Sequence, residues 1–173
     1  MINTPFNKPG IFYKGNLHTH STRSDGDFPA EVVVERYKSK GYDFLALSDH
    51  FLEEYDYPIT DTRLLRDSRF TTLIAAELHV GKTLNDETWH ILAVGLPIDF
   101  ERLKDNEDIT AIVKRAASYG AFIGIVHPTW YGLQPEDARV LPVIDAVEIY
   151  NHGSYMESER GDGWGFCDVL LNE

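Results

Sequence analysis

This chain predicts an α/β fold with a largely parallel sheet. Three features carry that reading: short aliphatic runs alternate with amphipathic helical segments, those segments carry start and stop signals, and metal-binding residue types close one aliphatic run after another. The first run, Ile11 to Leu17, ends in His18-Thr19-His20, with Asp25 shortly after. Side chains two apart on an extended segment point the same way, so both imidazoles can converge on one ion. A helix follows, with Asp27 suited to the N-cap, Pro29 to the first turn and Glu31 to the positive helix end. Val33, Val34 and Tyr37 form its buried stripe and Gly41 suits its C-terminal cap.

Further on, the run Phe44 to Leu47 ends at Ser48-Asp49-His50, and Leu73 to Ala76 ends at Glu77. Between them, Leu52 to Phe70 is rich in Asp, Glu, Tyr and Arg and reads as a loop above the proposed site, with one short helix around Thr62 to Asp67. Polar Gly81 to Thr88 separates Glu77's run from Trp89 to Val94, which makes those two neighbouring strands joined by a turn. Ile109 to Tyr119 is a second helix, with Ile112, Val113 and Ala116 on one face and Gly120 as its stop. Phe122 to Val126 ends at His127; a Pro-interrupted loop leads to a strand, Ala146 to Tyr150. Trp164, Cys167, Leu170 and Leu171 then recur at helical spacing within Gly163 to Glu173.

At 173 residues, 43% apolar and 12% aromatic, the chain is expected to build one globular domain, residues 1–173. A formal charge of -12 argues against a general grip on nucleic acid, although a metal cluster can still hold a phosphate locally. The single cysteine, Cys167, excludes an internal disulfide framework and a multi-cysteine zinc site. Met1 to Gly10 has no basic region followed by an apolar stretch, and no run approaches the roughly 18 apolar residues of a membrane span. The expectation is a cytoplasmic protein with no membrane partner.

Taken together, Gly15 to Gly26, Leu47-Ser48-Asp49-His50, Ala76-Glu77, His90-Ile91-Leu92 and His127-Pro128 resemble the PHP family, the polymerase and histidinol phosphatase superfamily of metal-dependent phosphoesterases. The resemblance runs in order from about Phe12 to the end, and its first two blocks are highly specific. It implies a distorted seven-stranded, TIM-like β/α barrel with two or three divalent ions at the carboxyl ends of the strands. His18, His20 and Glu77 would hold one ion; Glu77, His90 and His127 a second, with Glu77 as the bridge; Asp25 and His50 would contribute to a third. Zinc, manganese and iron all suit such donors. The family also carries a late Asp-x-His motif that this sequence lacks. A truncated chain is therefore expected, incomplete at the C-terminus with about five or six of the seven strands, and self-associating through exposed sheet edges.

Each candidate has a plainer reading. His18 and His20 could be a solvated pair on an edge strand, but the Ser-Asp-Gly text after them favours ligands. Asp25 could be a turn residue before Gly26, and Asp49 either a helix cap or an orienter of His50. Glu77 at the end of an aliphatic strand is costly to bury without a cation or hydrogen-bonding partners. His79 is read as solvent-facing or supporting, outside the ligand set. His90, opening a strand, is often only a structural group, while Pro128 fixes the turn beyond His127. Glu148 is expected at the barrel mouth, in substrate contact or in support of a ligand; Arg23 could hold a substrate phosphate, although a surface ion pair is the commoner use. His152 reads as a loop residue.

With two ions present, water activated by metal can attack phosphorus while both ions stabilise developing charge, and no serine or cysteine nucleophile is needed. Glu77 and His127 are the candidates for a direct part in catalysis. The expected reaction is hydrolysis of a phosphate ester of a small metabolite or nucleotide. Hydrolysis of an ester, amide or carbamate is the alternative, with Trp89, Trp130 and Tyr131 available as an apolar wall, and a non-catalytic metal-stabilised module is the third reading.

Overall fold

The structure, a computed structural model, describes residues 9–172, so the reading of Met1 to Gly10 falls almost wholly outside the described residues. Among the described residues, seven strand segments pair into one sheet: β1 (Gly15–Asn16), β2 (Phe44–Leu47), β3 (His50–Phe51), β4 (Thr71–Leu78), β5 (Ile91–Val94), β6 (Phe122–Ile125) and β7 (Ala146–Val147). Their order is β1-β2-β4-β5-β6-β7, with β3 also on β4. β2 and β3 share one line. Phe44 pairs with Thr71 and His50 with Glu77, the same offset along β4, so only Ser48 and Asp49 lack a paired residue there, and Asp49 O still accepts from Glu77 N–H at 3.1 Å. Six strand lines result, within the expected five or six. The sheet curls far enough that His18, just past β1, reaches Glu148, just past β7, at 3.1 Å. This is part of a barrel, open between β1 and β7, where no ladder forms among the described residues.

The sheet is mixed. β5 runs antiparallel to both β4 and β6, because the Gly81 to Thr88 stretch is too short for a crossover helix and simply turns the chain back. As a result one rim collects the carboxyl ends of every strand except β5, which contributes its amino end. β1 and β7 are shorter than their apolar runs predicted, and Ile11, Phe12 and Tyr13 stay exposed.

Helix α1 (Ala30–Ser39) buries Ala30, Val33 and Val34 against Leu45, Leu47 and Phe70. Its N-cap is Pro29 with no side-chain cap, so Asp27 does not cap it; Pro29 supplies the helical φ instead. At the other end Gly41, at φ 71°, lets Tyr42 N–H donate to Tyr37 O and Gly41 N–H to Lys38 O. Helix α2 (Ile109–Ser118) packs Ile112, Val113 and Ala116 onto β6, and Asp108 caps it by accepting from Ala111 N–H at 2.8 Å. Of the Leu52 to Phe70 loop, short 3-10 turns cover Glu53–Tyr55 and Arg63–Leu65. The sequence did not anticipate α3 (Pro135–Ala138) or α4 (His152–Ser158), while α5 (Trp164–Leu171) was expected. His152 therefore opens a helix and is not a loop residue.

Inside the curl, Ala46, Ala75, Leu92, Val94 and Val126 pack with Leu73 and Leu17. Strand parity extends this apolar lining to the rim: 46 shares a face with 50, 73 and 75 with 77 and 79, 92 with 90. Polar residues at the rim thus point where aliphatic ones point below. Among the described residues, no helix is long and apolar enough to cross a membrane.

Candidate metal centre

Glu77 is the hub of the rim. Its carboxylate is completely buried, and five imidazoles surround it. Oε1 lies 2.8 Å from His90 Nδ1 and 3.1 Å from His127 Nε2; Oε2 lies 3.0 Å from His20 Nε2, 3.1 Å from His50 Nδ1 and 3.3 Å from His18 Nε2. Asp25 joins through His20 Nδ1 at 2.7 Å and His50 Nε2 at 3.3 Å. All seven sequence-predicted ligands meet in one cluster. Around Glu77 the donors form three sets: His18 with His127, His20 with His50, and His79 with His90. The resemblance divides them differently, pairing His18 with His20 and His90 with His127.

His79 is buried with its Nε2 3.9 Å from Glu77 Oε2, so of the two roles expected for it, solvent-facing or supporting, the structure overturns the first. The signal was available: residues 77 and 79 sit two apart on β4 and share a face.

Supporting groups hold the donors in place. Glu148 accepts from the His127 backbone N–H at 2.8 Å and Asn151 Nδ2 at 3.0 Å and pairs with His18 Nδ1, fixing the His18 ring and the backbone that carries His127. Among the described residues the Asp49 carboxylate bonds no histidine and caps no helix. Its buried carboxylate instead accepts from Ser21 N–H at 2.7 Å and from the hydroxyls of Ser21, Ser24 and Thr60, anchoring the loop between His20 and Asp25. Gly26 packs against that loop so closely that an added Cβ would stand 2.7 Å from the His20 carbonyl, which keeps the Ser-Asp-Gly turn tight. His127 adopts a left-handed φ of 28°, a strained geometry for a non-glycine residue, held by the Glu148 hydrogen bond and the Pro128 turn.

Electrostatics follow from this packing. Burial alone would raise Glu77, but the imidazoles around it, His18 foremost, hold it well below the usual carboxylate range. Burial would lower His18 and His20; Glu77 and Glu148 push His18 up to about 10, and Asp25 with Glu77 push His20 up to about 9. Hydrogen bonding to His20 in turn lowers Asp25. Burial dominates at His79, down to about 3, and also lowers His127.

The donor set fits divalent cations. Among the described residues His127 Nδ1 is buried without a hydrogen-bonding partner, and imidazole with carboxylate is the mixture that zinc, manganese and iron accept. Because such ligands bind a cation in their deprotonated form, ion binding at this centre would release protons and depend on pH.

The rim opens into a pocket of about 200 Å³ lined by His18, Asp25, His50, His90, His127, Trp130 and, from α4 and its cap, Asn151, Gly153, Ser154 and Glu157. Trp130 and Tyr131 stand against His90 and His127, with ring centroids 5.2–5.7 Å apart. Trp89 does not join that wall: it lies in the core beside Ile91 and Val80. Arg23 lines a neighbouring depression with Thr22, Thr60 and Asp61, outside the metal pocket.

Comparisons with known proteins converge on one family. A match of 31% identity over 103 residues joins the chain to the DNA polymerase/3'-5' exonuclease PolX of Bacillus subtilis, covering 58% of this chain and 18% of that protein. Among solved structures, a two-domain protein from Bacteroides vulgatus, containing a predicted PHP-like metal-dependent phosphoesterase, superposes with a TM-score of 0.53 at 21% identity, over 86% of this chain and 42% of that one. A protein from Bifidobacterium adolescentis, named for an expected metal-dependent phosphoesterase activity, gives 0.57 at 12% identity, over 79% and 77%. At these identities the structures establish the shared fold. The PHP domain model matches residues 16–168, so a rim of histidines around one buried carboxylate has its family: this chain belongs to the PHP domain family.

Proposed function

We propose that this protein is a metal-dependent hydrolase that cleaves a phosphate ester of a small metabolite or nucleotide. The observation that carries the reading is the wholly buried Glu77 carboxylate with five imidazole nitrogens at 2.8–3.3 Å. His18, His20, His50, His90, His127, Asp25 and Glu77 hold two or three ions. When bound, such ions supply Lewis-acid charge to phosphoryl oxygens and acidify water at the site.

The chain's own residues do the rest. Glu148 orients the His18 ring, as carboxylates behind metal-binding imidazoles do, and holds the backbone of His127. Trp130 lines one side of the pocket, with the buried Tyr131 against His90 and His127, and Asn151, Gly153, Ser154 and Glu157 line another. No Lys or Arg lines the pocket among the described residues, so a phosphate there depends on the cations for its charge balance. The likeness to a protein named for exonuclease activity supports a phosphodiester among the substrates. A net charge of -12 favours a small one over a polymer.

A second reading has the same wall in its favour. Trp130, in a pocket that no Lys or Arg lines among the described residues, would equally suit an ester, amide or carbamate. The test is to strip the protein with chelator, reload it with zinc, manganese or iron(II), and assay phosphomonoester, phosphodiester and carboxyl ester side by side. Metal-dependent release from a phosphate ester is expected. Turnover of the carboxyl ester alone would replace the first reading with the second, and tight metal binding with no turnover would leave a metal-stabilised module.

A further inference from the structure

Among the histidines gathered around Glu77, His79 is the one whose position no motif explains. It is 6% exposed, in a protein where a buried imidazole needs polar company. Its one hydrogen-bonding contact among the described residues is Nε2 to His50 Nδ1, at 2.6 Å. The two nitrogens can share at most one proton at that distance, and His50 Nδ1 already faces Glu77 Oε2 at 3.1 Å. On the other side the His90 ring lies 4.2 Å away, edge to face, with its Nδ1 directed at Glu77 Oε1. Every polar neighbour of His79 is therefore a metal-binding candidate. Three donors, from Glu77, His79 and His90, come within 4.8 Å of one another, the span that a single ion can gather.

Strand geometry explains why the ring arrives there. Leu73, Ala75 and Glu77 face the inside of the curl, and residue 79 continues that face just beyond the end of β4. Val80 and Leu78 on either side are buried in the outer core, which holds the backbone at 79 in place. A leucine or valine would satisfy the packing there. A second nitrogen base beside His50 and His90 serves a cation instead, since it stands with the Glu77 and His90 donors inside the span that one ion can gather.

We propose that His79 is itself a metal ligand, closing a third donor set with Glu77 and His90 and extending the centre beyond the seven residues the motifs supply. This rests on the metal-centre reading above. Its competitor is that His79 only hydrogen-bonds His50 and orients it. Affinity alone does not separate the two, since loss of either a ligand or an orienting partner weakens binding.

Nitrogen chemical shifts do separate them. The chain has seven histidines, so a long-range proton–nitrogen spectrum of histidine-labelled protein resolves a small, countable set of rings. The metal-free protein is titrated with zinc alone. The His79 signal is identified by its loss in His79→Gln, or, where that variant does not fold, by ring-proton contacts to His50 and His90, whose centroids lie 4.6 and 4.2 Å away. Expected is movement of His79 Nε2 into the range of metal-bound imidazole nitrogen, with exposed His152 alone unmoved. If the other rings move and His79 Nε2 keeps its metal-free shift, the ligand assignment is overturned and His79 is an orienting residue. If no ring moves, the metal-centre reading falls as well.

Discussion

Replacing Glu77 by Gln is the sharpest perturbation of this centre. The two side chains are nearly the same size, so the fully buried position gains no cavity and the change is one of charge and donor pattern. In the wild type both oxygens accept: Oε1 faces His90 and His127, Oε2 faces His18, His20 and His50. An amide keeps one acceptor and turns the other into a donor aimed at nitrogens that must themselves bind cations. Removing one partner of a buried charge pair costs about 2–5 kcal/mol. At about 1.4 kcal/mol per tenfold, that is roughly one and a half to three and a half orders of magnitude in Kd. Because Glu77 belongs to all three donor sets, every ion should feel it. The assay is zinc and manganese titration by calorimetry, with metal counted by elemental analysis after dialysis and folding checked by circular dichroism. Stoichiometry and Kd indistinguishable from wild type would refute the hub.

Three further outcomes are expected. The metal-free protein should lose stability as pH rises: His18 and His20 have folded-state values of about 10 and about 9 against the ordinary 6.5, so their stabilisation is complete below about pH 6.5 and vanishes as pH climbs through 9 and then 10, seen in thermal melts with chelator. Glu148→Ala should weaken metal binding by about 10–100-fold while the fold survives, since it frees His18 and His127 without removing a donor; an unchanged zinc isotherm would contradict this. Ile112→Ala, on the buried face of α2, should cost about 2–5 kcal/mol in urea unfolding and leave metal affinity as it was.

The rim was legible in the text wherever a run of aliphatic residues ended in a histidine or acid. His18, His20, His50, Glu77 and His127 all follow that rule, and His90 follows its mirror image because β5 runs the other way. Local capping was less readable: Asp27 has the right chemistry for an N-cap, yet Pro29 starts the helix and Asp108, unremarked, caps α2. Helix α4 was invisible because His152 to Ser158 carries no apolar stripe; Asn151, accepting from Ser154 N–H, starts it. Asp49 shows the limit most plainly. Its neighbour in the sequence is a metal-binding candidate, but its partners lie 25–28 residues earlier and 11 later, at contacts that only the folded chain brings together.

The gap between β2 and β3 works as a keyhole. Where Ser48 and Asp49 step out of the ladder, Ser48 N–H reaches Thr19 O while Ser48 Oγ receives Thr19 N–H, and the Asp49 carboxylate takes in the turn that carries Asp25. Three imidazoles and an acid drawn from two distant stretches are thereby indexed to two residues of backbone. A disturbance at 48 or 49 would misplace His18, His20, Asp25 and His50 as a group, so this segment of the chain tolerates change in unison or not at all.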